Sequence, residues 1–111
     1  MQNAKLLRLI REACEDKKAE EIVTLDLKKN NGIADYFVIC SGNSERHVHA
    51  IAENVADSLI KEKVRYRHFE GKQNSQWVLL DYVDVIVHVF HHETRKFYNL
   101  ERLWGDAKIV K

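Results

Sequence analysis

Histidines, a pair of aspartates and a serine-rich turn are the places where chemistry could reside in this 111-residue chain. Of its six histidines, His88, His91 and His92 lie close together, and His47 and His49 form a second pair. Imidazoles bind zinc, but no Cys-x-x-Cys pair or His-Glu-x-x-His pattern accompanies them. His88 and His92 would share a strand face only if the strand ran past Phe90, and the pattern predicts an end there. These rings therefore read as surface or core-edge imidazoles, with no metal and no cofactor expected.

Ser41-Gly42-Asn43-Ser44 follows an apolar run and opens a helical pattern, loosely like a nucleophile elbow, yet it lacks the Gly-x-Ser-x-Gly spacing. Its serines read as turn and cap donors. The same helix start could meet an anion through free backbone N–H groups. Arg46 and His47 place positive charge where the helix dipole disfavours it, with Glu45 as partial offset, so both are candidates for a ligand or partner contact. One glycine is too few for a phosphate-cradling loop. Asp81 and Asp84 could hold metal for phosphoryl transfer, but spacing across a turn does not make them converge, and Asp is favoured in turns for local hydrogen bonding. Trp77 follows a polar loop and begins a strand. Its indole is either a core anchor or an interface anchor, and Tyr82 at the end of the same strand is equally open.

The elements that position these residues follow from periodicity. Leu6, Leu7, Ile10, Ala13 and Cys14 mark one face of a helix from about Ala4 to Lys18, with Asn3 as its expected cap. Ile22–Leu27 is a β-branched strand, and Asn31-Gly32 signals a turn. Tyr36–Cys40 is apolar throughout, as a strand buried on both faces would be. Val48, Ile51, Ala52, Val55 and Leu59 stripe a second helix ending near Lys63, after Asn43 or Ser44 as cap. A strand at Val64–Phe69 would complete a βαβ-like unit. Trp77–Leu80 and Val85–Phe90 predict an antiparallel hairpin around Asp81–Asp84. A last helix is predicted from about His92 to Trp104, closed by Gly105, with a patternless tail beyond.

The expected fold class is thus α/β: a single domain, order α-β-β-α-β-β-β-α, with one mixed five-stranded sheet flanked by helices. Composition agrees, at 45% hydrophobic and 32% charged. The 18 basic and 17 acidic residues leave a net charge of +1, which argues against broad nucleic-acid binding. No apolar run reaches the ~20 residues of a membrane span. Cys14 and Cys40 read as reduced core thiols of a cytoplasmic protein.

Three blocks carry a resemblance. Asp35–Gly42 with Ser44, Arg46-His47-Val48 and Ala50-Ile51 form the first. Glu70-Gly71, Trp77–Tyr82 and Asp84–Phe90 form the second. Glu93, Arg95, Tyr98, Leu100-Glu101 and Leu103–Ala107 form the third. Together they resemble the ribosomal silencing factors, the Iojap-like family, over nearly the whole chain. The resemblance implies a nucleotidyltransferase-related fold without a catalytic centre. It implies a translational repressor that binds the large ribosomal subunit through ribosomal protein L-fourteen, blocks subunit joining when nutrients are scarce, and is linked to late large-subunit assembly. Homodimers are compatible with it.

On this reading Trp77, Asp81, Tyr82, Asp84 and Glu70 form the partner-binding patch, and Arg46 and His47 face the same partner or nearby ribosomal RNA. The rival readings are an assembly factor without blocking activity and a metal-dependent nucleotidyl or phosphoryl transferase. One departure stands out: Val83 sits where the family commonly has glycine, and valine tolerates positive φ poorly, so another turn is expected there.

Overall fold

Two neighbouring strands that are apolar on both faces dictate the architecture. In the computed structural model, which describes residues 2–28, 34–71, 76–98 and 108–110, these are β2 (Tyr36–Gly42) and β5 (Val85–His91), paired in parallel from Tyr36↔Val85 to Gly42↔His91. A parallel pair needs a long crossover. Here it comprises α2 (Glu45–Lys61), β3 (His68–Glu70) and β4 (Trp77–Asp81). The sheet runs β3-β4-β5-β2-β1-β6, with β1 (Glu20–Asp26) antiparallel to β2 and β4 antiparallel to both β3 and β5. The helix α1 (Asn3–Asp16) precedes β1, and α3 (His92–Tyr98) follows β5 directly.

The mixed α/β class stands, but the sheet has six strands rather than five. The extra one, β6 (Lys108–Val110), pairs with β1 from Thr24↔Val110 to Asp26↔Lys108. It was read as a patternless tail because three residues carry no periodicity; the free edge of β1 organises it. The strand expected at Val64–Phe69 is shorter and later. Val64 instead closes α2: its N–H donates to Leu59 O at 2.9 Å and that of Lys63 to Ile60 O at 2.9 Å, with Lys63 at φ 63°. This is a Schellman closure with lysine at the position glycine usually holds. The first helix ends in the same way, at Lys18 (φ 57°) and Ala19, whose N–H donates to Cys14 O at 3.0 Å. Its N-cap is Gln2, not Asn3, and makes no side-chain cap bond. The expected Asn31-Gly32 turn and the stretch of the last helix beyond Tyr98 to Trp104 and Gly105 lie outside the described residues.

Alternation sorts the side chains. Val38, Cys40, Val78, Leu80, Val85, Val87 and Val89 join the inward stripes of α1 and α2 in one core. Phe37, Ile39, Ile86 and Phe90 join Leu25, Leu27 and Ala34 on the opposite face, with Trp77 and Leu79 half-buried against them. No helix among the described residues is long and apolar enough to cross a membrane.

The β4–β5 connection corrects the expectation about Val83. The valine itself takes φ 75°, and the Asp84 N–H donates to Tyr82 O at 2.9 Å across it, the hydrogen bond of a γ-turn. The turn is held from outside: Asp81 Oδ1 accepts the Val83 N–H at 2.7 Å, and Tyr82 N–H donates to Val85 O at 2.9 Å. Surroundings that over-determine a turn can hold a β-branched residue in a disfavoured conformation. Val83 is exposed, so no packing offsets the strain. Val83→Gly should therefore raise unfolding stability by about 1 kcal/mol. Urea denaturation measures this, and a lower midpoint would show that the valine is not strained.

Candidate partner-binding surface

Successive residues of β4 point to opposite faces. Val78 and Leu80 go under α1 and α2, while Trp77, Leu79 and Asp81 take the other side. The edge strand β3 adds to that side, because Glu70 pairs with Leu79 and so shares its face. Gly71, at φ 89°, makes the approach possible: a Cβ there would strike the Trp77 carbonyl oxygen.

Trp77 answers the question of core or surface by being both. Its ring stacks on Phe90 at 4.9 Å and an interplanar angle of 25°, and Nε1 donates to His88 Nδ1 at 3.1 Å, yet the side chain is only half-buried. That bond makes His88 Nδ1 the acceptor, so the proton of a neutral ring sits on Nε2. Nε2 is buried without a hydrogen-bond partner among the described residues, and the ring packs edge-on against Phe37 at 4.5 Å. Burial pushes the His88 imidazole down to about 4. Sequence reading set His88 aside with the other histidines; its role depends on the cross-strand register, which no spacing rule supplies.

Asp81 lies at the other end of β4, roughly 13 Å from Trp77 at ~3.4 Å per residue. It is buried and engaged internally, accepting from Arg67 Nη2 at 2.8 Å as well as from Val83 N–H. Burial pushes its carboxyl up, but the hydrogen bonds from Arg67 and Val83, with the Arg67 and His68 charges, outweigh this and hold it below the usual carboxylate range. Tyr82 is also buried, against the core beneath α1 and α2, and its hydroxyl has no hydrogen-bond partner among the described residues. Burial, reinforced by Tyr66, drives that phenol well above its ordinary range. Asp84 and Glu70 are exposed.

Arg46 and His47 lie on α2, at the end of the sheet where Trp77 stands, since Gly42 pairs with His91 and Trp77 with Phe90. Ser44 caps this helix, its hydroxyl accepting the His47 N–H at 3.0 Å. The His47 ring is committed: Nδ1 accepts from Asn43 N–H at 2.9 Å and Nε2 lies 2.7 Å from Lys17 O. It therefore ties the end of α1 to the start of α2. Arg46 is exposed. Close by, Gln76 Nε2 donates to Glu45 Oε1 at 3.1 Å, and Thr94 Oγ1 donates to Gln76 Oε1 at 2.7 Å, a link across the sheet end that sequence reading missed.

The seven candidates thus do not form one cluster. Trp77 and Glu70 share a strand face with Leu79. Asp81, Tyr82 and Asp84 build the hairpin at the far end, and Arg46 and His47 sit on the helical side. Among the described residues, no three of His, Cys, Asp and Glu are placed to share a metal ion.

The neutral His88 has a measurable consequence. Its folded-state value lies below its unfolded value near 6.5, so the unfolded chain binds the proton more tightly. The contribution is complete above about pH 6.5 and is lost as pH falls toward about 4, amounting to roughly 3 kcal/mol. His88→Gln keeps an acceptor for the indole and removes the titration. Urea midpoints should fall less steeply between pH 6.5 and 4 in the variant; parallel slopes would contradict a neutral buried imidazole.

Relatives share this architecture and sequence. A family model described as ribosomal silencing factor during starvation matches residues 1–111. A ribosomal silencing factor of Bacillus subtilis (strain 168) is 44% identical over 110 residues, 99% of this chain and 93% of that one. A mouse protein named for mitochondrial assembly of the ribosomal large subunit is 34% identical over 91 residues, 79% of this chain and 40% of its own length. A solved structure from Chromobacterium violaceum superposes with a TM-score of 0.91 at 35% identity, covering 95% of this chain and 88% of that one. With the family model matching from the first residue to the last, the chain belongs to the ribosomal silencing factor family.

Proposed function

We propose that this protein represses translation by docking on the large ribosomal subunit, through ribosomal protein L-fourteen, and standing where the small subunit would join. The observation that carries this reading is Trp77: a half-buried indole, fixed by a stack on Phe90 and a hydrogen bond to His88, on a strand face shared with Leu79 and the Glu70 carboxylate. A rigid aromatic that keeps part of its surface open loses little side-chain entropy when covered, which is why such residues anchor interfaces. Glu70 and Asp84 are exposed carboxylates suited to orienting a basic ribosomal protein. Asp81, Tyr82 and His47 act behind the surface, as supports of the hairpin and of the α1–α2 junction. Arg46 is the candidate for contact with neighbouring ribosomal RNA.

Blocking needs no catalytic group. It needs affinity and bulk in the right place, and the regulatory names borne by the relatives support that type of action. The mouse relative's name favours a second reading, in which the same docking serves assembly of the large subunit without preventing joining. Both readings share the surface and differ in its consequence.

Trp77→Ala combined with Glu70→Lys should weaken capture of purified L-fourteen protein by at least tenfold, with circular dichroism confirming the fold. Excess wild-type protein should suppress the light-scattering rise when ribosomal subunits are mixed. Unchanged capture by the double variant would remove this face from the interface. Normal subunit joining at saturation would leave the assembly reading in place of the block.

A further inference from the structure

Two thiols meet in the interior. Cys14 is in the last turn of α1 and Cys40 in the central strand β2, both fully buried, and the Cys40 S–H donates to the Cys14 sulfur at 3.9 Å. Both are free cysteines. We propose that Cys14 and Cys40 are an oxidisable dithiol, a modification site at which a hydroperoxide closes a disulfide between α1 and the centre of the sheet.

The surroundings hold both backbones and leave an irregular stretch of strand beside one of them. The Cys14 carbonyl accepts from the N–H groups of Lys17 at 3.2 Å and Ala19 at 3.0 Å, which fixes the helix end. Cys40 is held on one side by its pairing with Val89. On the other side the ladder is interrupted: β1 pairs Glu20 with Ser41 and Val23 with Ile39, so an irregular stretch lies beside Cys40. Bulges of this kind let a strand yield locally. The sulfurs must come roughly 2 Å closer to bond.

The two sulfurs are each other's contact, and contact with Cys14 and then burial push the Cys40 thiol well up. The Cys14 sulfur attacks the peroxide O–O bond: one oxygen is retained as sulfenic acid, the O–O bond breaks, and the thiol proton leaves with the displaced hydroxide as the first water. The Cys40 thiol then attacks that sulfur; the S–S bond forms, and its proton leaves with the displaced hydroxide as a second water. Two thiols lose two electrons in total and one peroxide gains them. Since both sulfurs are buried, the reagent enters by local opening of the core, and that opening governs the rate.

The test treats the whole protein with hydrogen peroxide in urea below its unfolding midpoint, then denatures it and adds N-ethylmaleimide. The expected product is a monomer lighter by about 2 Da that takes up no maleimide until reduced. Its urea midpoint should rise by on the order of 1–2 M, because the link restricts the unfolded chain. Cys14→Ala and Cys40→Ala should each abolish both effects. Two alkylated thiols, sulfinic or sulfonic acid without cross-linking, or a disulfide-linked dimer would each overturn the assignment.

Discussion

A parallel pair of strands buried on both faces is the constraint from which the remaining structure follows. Side by side, β2 and β5 leave two apolar surfaces, and each has to be removed from water. The amphipathic stripes of α1 and α2 cover one of them, and the larger core among the described residues lies there. Parallel pairing also forces the chain through α2, β3 and β4 before it can return as β5. The excursion delivers β4 antiparallel to β5, and with it Trp77 and Leu79 onto the second surface. Those two side chains complete that core only in part.

Polar groups inside this second layer hold β4 in place at both ends. At one end the Trp77–His88 hydrogen bond works only with a neutral imidazole, which the apolar neighbours enforce. At the other, Asp81 is ionised and surrounded by donors, and so fixes both Arg67 and the strained turn at Val83. Losing one partner of either arrangement would leave a buried group unsatisfied, so each specifies the strand register more strongly than an apolar contact of the same size. The strand that presents Trp77 is thus rigid, and rigidity is what an anchor residue needs.

Much of this was legible in the sequence because burial leaves periodic traces. The apolar runs Tyr36–Cys40 and Val85–Phe90 announced central strands, and the stripe from Val48 to Leu59 announced α2. Features that depend on another part of the chain left no such trace. The strand β6 exists because β1 has a free edge. Lys18 and Lys63 close helices where glycine would have been the readable sign, and the second closure shortened the strand expected after it. The candidate residues were identified as residue types, but their grouping was not. Spacing cannot tell that Trp77 and Asp81 stand at opposite ends of one strand while Glu70, from another strand, stands beside Leu79. The family blocks mark stretches of chain without distinguishing exposed residues such as Glu70 and Asp84 from buried ones such as Asp81 and Tyr82.

Charge decides how such a surface can act on a ribosome. A particle dominated by phosphate attracts any strongly basic protein at many positions, with a steep dependence on salt. At a net charge of +1 this chain gains little from that field. Its selectivity on the proposed reading then rests on a protein component of the particle, where a fixed aromatic supplies area and carboxylates such as Glu70 and Asp84 reward a basic partner while repelling phosphate. On that same reading the carboxylates that orient the complex also keep the protein from scattering over the RNA, and near-neutrality becomes part of the specificity of an obstacle, which works only where it stands.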